Sequence, residues 1–212
     1  MATASRGIYR HARTDFLIGP ALITSAIFVW LIAAPVFGPV RQKIHSGHLP
    51  VLYLHIVGGT TMLFAGAIAL RIGLTRDWFR WHKVAGYTYI AGGTMASVVA
   101  IVRSFDTQHT PGISTGALGA VWLAFTAMAF RAIKNRRIDQ HRAWMIRSYV
   151  AAWTFVACRF WTRAMPSAFQ GGETDMIWAT WVLPLFLTEI LLQWHAGSRL
   201  SRNSYSNSGT SD

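Results

Sequence analysis

The segment DQHRAWMIRSY, residues 139–149, places an acid, a histidine and two arginines within nine positions, directly before an apolar run. A related segment, WHKVAGYTY, occupies residues 81–89. In each segment a histidine precedes a basic residue, and a tyrosine follows seven or eight places later: His82 and Tyr89, then His141 and Tyr149. Both histidines lie near the expected headgroup level, which is shallow for a buried cofactor, but histidine and tyrosine side chains can hydrogen-bond quinone oxygens, so these residues predict a site for a quinone head group. The alternative is that the His-Lys and His-Arg pairs are solvated groups at a membrane interface.

Two further charged residues lie inside apolar runs near the same end of the predicted bundle. Arg147 follows the start of one run, and Glu189 precedes the end of another in FLTEILLQW. At 1.5 Å per residue both lie roughly 6–9 Å deep. An isolated charge at that depth is costly, so we predict that Arg147 and Glu189 pair or share a polar cavity. A structural ion pair and a role in proton-coupled redox chemistry or proton transport both remain open.

His55 is the one histidine well inside an apolar run, and Gly59 and Gly66 follow on the same helical face. A glycine groove beside an imidazole suits a flat macrocycle, so His55 is a candidate axial ligand to haem iron. Ordinary close packing of helices through small residues is the competing explanation. A haem held by two histidines would require a second histidine at the level of His55, and no other span has one there. His45, His48 and His109 in the neighbouring loops could join His55 in a copper or zinc site, or they could simply be solvated.

The elements that must position these residues are apolar helices. Hydrophobic residues make up 52% of the 212-residue chain and charged residues 13%, about half the usual share of charge in a soluble domain. Only helices satisfy their own backbone in lipid, and the alternation typical of a barrel is absent. We therefore predict an all-α membrane bundle of six transmembrane helices, residues 1–198, with approximate spans Phe16–Phe37, Pro50–Leu74, Val84–Phe105, Ala117–Lys134, Ala143–Ala164 and Met176–Trp194.

Positive charge is distributed unevenly around these spans. Twelve lysines and arginines fall in the N-terminus, the second and fourth loops and the C-terminal tail, against two in the opposite loops. This skew predicts that both termini are cytoplasmic, and it explains the net charge of +12 without a nucleic-acid partner. The first run is too long for a typical signal peptide and is expected to be retained. The polar tail, residues 199–212, is expected to be disordered.

The second and third predicted helices resemble the fourth and fifth. Besides the matched histidines and tyrosines, Arg71 precedes His82 by 11 residues and Arg131 precedes His141 by 10. Both copies run in the same direction, which suggests a parallel repeat about an axis along the membrane normal. Such a repeat would bring the two histidines to one shared site on the cytoplasmic side.

Three stretches carry a family resemblance: LHIVGGTTMLFAGAIALR, WHKVAGYTY and HRAWMIRSYVAAWTFVACRFW. Over roughly residues 50–165 the chain resembles the predicted bacterial membrane proteins named domain-of-unknown-function family 2306. The resemblance implies a multi-helix integral membrane protein, with a histidine in its first matching helix and His-basic pairs before two others. We expect the chain to lie in the bacterial inner membrane. It implies no activity. Lys83 stands where arginine is more typical of the family.

Three functions agree with these features. The first is an electron-transfer component that binds b-type haem or quinone through His55, His82, His141, Gly59, Tyr89, Tyr149, Arg147 and Glu189. The second is a non-catalytic accessory or assembly subunit whose small-residue faces contact other membrane subunits. The third is a small proton-linked permease, which the repeat and Glu189 favour. The sequence contains no nucleotide-binding loop or nucleophile elbow, and its single cysteine, Cys158, excludes an internal disulfide.

Overall fold

The computed structural model describes residues 49–105, 112–164 and 173–208, together with seven residues between 19 and 30. Within these ranges the chain is helical apart from short turns, and it contains no strand. The all-α prediction is therefore confirmed for this part of the chain. Most of the predicted first span lies outside the described residues, as do the loops that contain His45, His48 and His109.

Six helices follow one another along the described chain. A single 3-10 turn, Phe79–Trp81, leads directly into the second helix. The helices are α1 (Leu49–Thr75), α2 (His82–Ser104), α3 (Gly112–Lys134), α4 (Ile138–Ala152), α5 (Thr154–Ala164) and α6 (Glu173–Ser208).

Four helical segments of the described chain are long and apolar enough to cross a membrane: Pro50–Thr75, Phe79–Ser104, Gly112–Lys134 and Thr174–Gly197. They correspond to the predicted second, third, fourth and sixth spans. Large apolar side chains on α6, such as Leu183, Phe186 and Leu187, are exposed on its outer face. In water such a face would be unfavourable, whereas lipid tails cover it without cost.

The predicted fifth span is divided into α4 and α5 at Trp153. This residue keeps right-handed helical backbone angles, and its N–H still donates to the carbonyl of Tyr149 at 3.1 Å. The amides of Val156 and Ala157 both donate to the carbonyl of Trp153. The two helices therefore form one bent segment over residues 138–164, which is longer than the roughly 20 residues that a span requires.

Helices α1 to α4 form an antiparallel bundle in which consecutive helices are neighbours and α1 also contacts α4. Helix α6 packs against α4, α5 and α3. The closest approach of α1 and α2 is at two glycines: a Cβ on Gly58 would lie 2.6 Å from the carbonyl oxygen of Gly92. Small residues let membrane helices approach to this distance, and van der Waals contact then stabilises the pair.

Helix α6 ends at Ser208, inside the segment 199–212 for which the sequence predicts disorder. The expectation that residues 199–212 are disordered stays a prediction. No proline or glycine interrupts the chain between Gly197 and Gly209, so nothing in this stretch terminates the helix before the glycine that follows its last residue.

Candidate functional site

The two histidines of the repeated segments make corresponding hydrogen bonds. His82, the first residue of α2, donates from Nδ1 to the carbonyl oxygen of Ala69 on α1 at 3.1 Å. His141, in α4, donates from Nδ1 to the carbonyl oxygen of Ala129 on α3 at 2.9 Å. A carbonyl oxygen only accepts, so Nδ1 carries the proton in both rings. In its neutral form each ring then has its lone pair on Nε2, the form in which histidine binds metals.

These rings lie next to each other and deeper than their positions in the sequence suggest. Their centroids are 6.4 Å apart, with planes at 83°, and Phe79 stacks on His82. Ala69 is six residues before the end of α1, and Ala129 is five residues before the end of α3. At 1.5 Å per residue, the two carbonyl groups lie about 7–9 Å from the ends of α1 and α3. The hydrogen bonds hold both rings at that level. A ligand shared by both rings would thus lie beside the last two turns of α1 and α3.

The tyrosines of the same segments meet in the centre of the bundle. The rings of Tyr89 and Tyr149 are 6.4 Å apart, and both pack on Gly66 of α1. Tyr149 donates its hydroxyl to the carbonyl oxygen of Leu63 at 3.1 Å, and Tyr89 is completely buried. The predicted groove at Gly66 is therefore not open, because two aromatic rings occupy it. The structure does not bring these tyrosines to the histidine pair as the wall of a quinone site.

Tyr89 belongs to a buried hydrogen-bond network that joins α2, α3 and α4. The indole N–H of Trp122 donates to the Tyr89 hydroxyl oxygen at 2.9 Å, and that hydroxyl lies 2.6 Å from Ser148 Oγ. Thr126 Oγ1 lies 2.9 Å from the same Ser148 oxygen. Because every member is satisfied, the network stabilises one arrangement of the three helices. Trp122, Thr126 and Ser148 were not predicted from the sequence, although the four-residue spacing of Trp122 and Thr126 places these two residues on one helical face.

Arg147 and Glu189 form the predicted ion pair. Both Nε and Nη2 of Arg147 donate to Oε2 of Glu189, at 2.9 and 2.6 Å. Gln193 donates to the other carboxylate oxygen at 2.8 Å, and the guanidinium lies over the Trp144 ring at 4.8 Å. The pair joins α4 to α6. Among the described residues, no hydrogen bond or ion pair connects it to His82 or His141.

Breaking this pair is expected to destabilise the bundle. In Arg147→Met or Glu189→Gln, the remaining partner loses its charged hydrogen bonds in an apolar environment. The double variant should cost less than the sum of the single variants, with a coupling of about 1 kcal/mol. The measurement is reversible unfolding in mixed micelles.

Asp139→Asn is the control for this cycle, since it removes an exposed carboxylate from the first turn of the same helix. Additive effects of Arg147→Met and Glu189→Gln would contradict a stabilising pair.

His55 lies at the opposite end of the bundle from the histidine pair. Its Nδ1 donates to the carbonyl oxygen of Ala96 on α2 at 2.9 Å, and its ring lies 4.9 Å from that of Phe155. Ala96 is fourteen residues along α2 from His82, which corresponds to about 21 Å of helix. A Cβ on Gly59 would meet no atom within 4 Å, whereas neighbouring Gly58 is the glycine in close helix contact.

A cavity of about 130 Å³ lies beside His55, lined by residues from all six helices. The apolar part of its lining includes Met62, Leu118 and Trp122. Among the described residues, no group of three or more histidine, cysteine, aspartate or glutamate side chains is placed to hold a metal ion. The hypothesis that His45, His48 or His109 completes a metal site with His55 falls outside the described residues and stays a prediction.

Comparison with known proteins gives one family. The model of a family described as "Predicted membrane protein (DUF2306)" matches residues 52–192. This range extends from α1 into α6, and it contains His55, the histidine pair and the Arg147–Glu189 ion pair. No curated protein and no solved structure was found to match the chain.

Proposed function

We propose that this chain, which belongs to the DUF2306 family of predicted membrane proteins, is an integral membrane electron-transfer component with a b-type haem held by His82 and His141. The observation that carries the proposal is the matched pair of imidazoles. Each comes from one of the two similar segments of the sequence, and each has its Nδ1–H committed to a carbonyl of a neighbouring helix. Each ring therefore presents Nε2, and the centroids are 6.4 Å apart.

The chemistry of this donor set fits haem. Histidines that bind metals almost always donate their other ring N–H to a carbonyl or carboxylate, which selects the tautomer and orients the ring. Nitrogen–metal bonds are about 2 Å long, so neighbouring rings at this distance are within reach of one metal atom. When bound, a haem supplies one-electron redox chemistry at a potential that the axial ligands and local polarity tune. Ala69 and Ala129 would orient the two rings, and Phe79 would limit the movement of His82 by stacking on it.

A quinone at the histidine pair has weaker support. A quinone carbonyl requires a hydrogen-bond donor, whereas His82 and His141, whose Nδ1–H groups are committed to helix carbonyls, present an acceptor at Nε2 in their neutral form. The hydroxyl groups of Tyr89 and Tyr149, expected to help, are engaged inside the bundle. The geometry thus favours a metal-centred cofactor over a quinone at this end.

The proposal is tested by the absorption spectrum of the full chain, purified from membranes in a mild detergent. We expect a Soret band that sharpens on reduction with dithionite, with about one haem bound per chain. Protein isolated without haem should bind added haemin and then show the same spectrum. Absence of a Soret band both before and after haemin titration would overturn the proposal.

For the topology we propose six spans in the bacterial inner membrane, with both termini cytoplasmic. The four candidate spans support this arrangement, with the bent segment 138–164 as the fifth crossing and residues 16–37 as the first. The skew of basic residues sets the orientation.

Cysteine labelling in intact cells tests this orientation. In a Cys158→Ser background, Asn135→Cys and Ser206→Cys should react with a membrane-impermeant maleimide only after the cells are made permeable. Ser46→Cys should react in intact cells. The reverse pattern would show that the orientation is wrong.

A further inference from the structure

The cavity beside His55 has the size and lining of a site for a small ring. Its volume, about 130 Å³, approaches the roughly 150 Å³ of an apolar cavity that holds benzene. Trp122 and Phe155 contribute aromatic surface, and Met62 and Leu118 contribute aliphatic surface. Ligand sites typically combine such walls with a few polar groups that orient the ligand.

Two of the polar side chains in the lining indicate which groups a ligand needs. Thr154 is 2% exposed, and its Oγ1 is buried without a hydrogen-bond partner in the described part of the chain. Buried hydroxyl groups are nearly always paired, so this one indicates a missing partner. His55 has its Nδ1–H committed to Ala96, so its neutral ring accepts a hydrogen bond at Nε2. A ligand that contacts His55 must therefore donate, as a hydroxyl group does and a carbonyl does not.

The charges around the cavity disfavour a cationic ligand. The residues that line the cavity include no carboxylate, whereas Arg159, an exposed residue, is among them. A guanidinium beside the cavity disfavours a cationic ligand there. A neutral ring with a weakly acidic hydroxyl group has no such cost.

We infer that this cavity is a binding site for a planar six-membered ring that carries a hydroxyl group, the chemistry of a phenol or of the reduced head group of a quinone. The ring lies among Met62, Leu118 and Trp122. Its hydroxyl group donates to His55, and Thr154 forms a further hydrogen bond to the ligand. The inference rests on the cavity alone. It deepens the proposed electron-transfer function, because a reduced quinone is an electron donor. The cavity lies about 21 Å along α2 from the histidine pair.

Binding of radiolabelled hydroquinone to the full chain in detergent, measured by anaerobic equilibrium dialysis against empty micelles, tests the inference. We expect saturable binding at one site per chain. Unlabelled p-xylene, which replaces both hydroxyl groups by methyl groups, should compete at least about tenfold more weakly, because a net hydrogen bond corresponds to a five- to tenfold change in affinity. Equal competition by p-xylene would overturn the inference, as would binding that does not saturate above the micelle background.

Two variants assign the hydroxyl contacts. Thr154→Val keeps the side-chain shape and removes the unpartnered oxygen, so it should weaken hydroquinone binding about tenfold while raising the melting temperature. His55→Asn keeps a donor in the position of Nδ1 and removes Nε2, so it should weaken binding similarly and leave p-xylene binding unchanged. Wild-type hydroquinone affinity in both variants would overturn the assignment of the site.

Further measurements distinguish the cavity site from the proposed haem site and identify whether the ligand comes from lipid or from water. A His82→Asn, His141→Asn double variant should bind hydroquinone like the wild type, and Thr154→Val should keep the Soret band. A quinol with one isoprenoid unit should displace hydroquinone at a lower concentration than phenol does if the natural ligand comes from the lipid phase. If phenol displaces it at the lower concentration, the natural ligand is a water-borne phenol. A double histidine variant that loses hydroquinone binding while it remains folded would overturn the independence of the two sites.

Discussion

His82→Asn and His141→Asn are each expected to abolish the Soret band while the protein remains folded. The asparagine side-chain N–H can reproduce the Nδ1 hydrogen bond to Ala69 or Ala129. It offers nothing in the position of Nε2, so each substitution would remove one of the two imidazoles proposed to hold the haem and little else. Removal of a second-shell partner typically lowers metal affinity by 10–100-fold, and loss of the ligand itself should cost more. The measurements are the absorption spectrum, the haem content and elution as a single species in gel filtration.

His195→Asn is the matched control. His195 lies on α6, is exposed, and makes the same type of bond from Nδ1 to a helix carbonyl, that of Leu191 at 2.8 Å. If Nδ1 hydrogen bonding alone explained the result, this variant would behave like the other two. A Soret band of unchanged intensity in both His82→Asn and His141→Asn would show that the pair does not hold the cofactor.

Gly58→Ala is expected to destabilise the bundle by about 2–3 kcal/mol, the upper range for insertion of a methyl group into a close-packed contact. The new Cβ would lie 2.6 Å from the carbonyl oxygen of Gly92 and 3.0 Å from the amide nitrogen of Ala96. Both are backbone atoms of α2, so the two helices must separate. Because His55 donates to Ala96, hydroquinone binding at the cavity should fall in the same variant. Unfolding in mixed micelles and equilibrium dialysis measure the two effects.

Gly59→Ala is the control for this prediction, because its Cβ would meet no atom within 4 Å. The two substitutions are chemically identical and adjacent, so only the packing of the helices distinguishes them. Alanine also has the higher helix propensity, which favours a small gain in stability at position 59. Equal destabilisation by both substitutions would contradict close contact at Gly58.

Hydropathy was sufficient to predict four of the six helices that the structure describes. Four predicted spans coincide with long apolar helices, because in lipid each span must satisfy its own backbone and be apolar on its outer face. The Arg147–Glu189 pair followed from the same physics, since two isolated charges at similar depth stabilise each other. The correspondence of His82 with His141 was also visible in the repeated spacing. These features depend on residue type and position along a helix, which a sequence contains directly.

What these side chains contact was decided only by tertiary packing. The sequence predicted that Tyr89 and Tyr149 accompany the histidines, but the rotation of α2 and α4 directs the tyrosines to Gly66 and to the buried network instead. The tautomers of the histidines depend on carbonyl oxygens of neighbouring helices. The unpartnered hydroxyl of Thr154 and the cavity beside His55 arise where all six helices meet. Residue types and spacing along the chain thus determined a helical membrane bundle and its polar residues, whereas the hydrogen-bond partners and the ligand cavity depend on how helices distant in sequence rotate and approach one another.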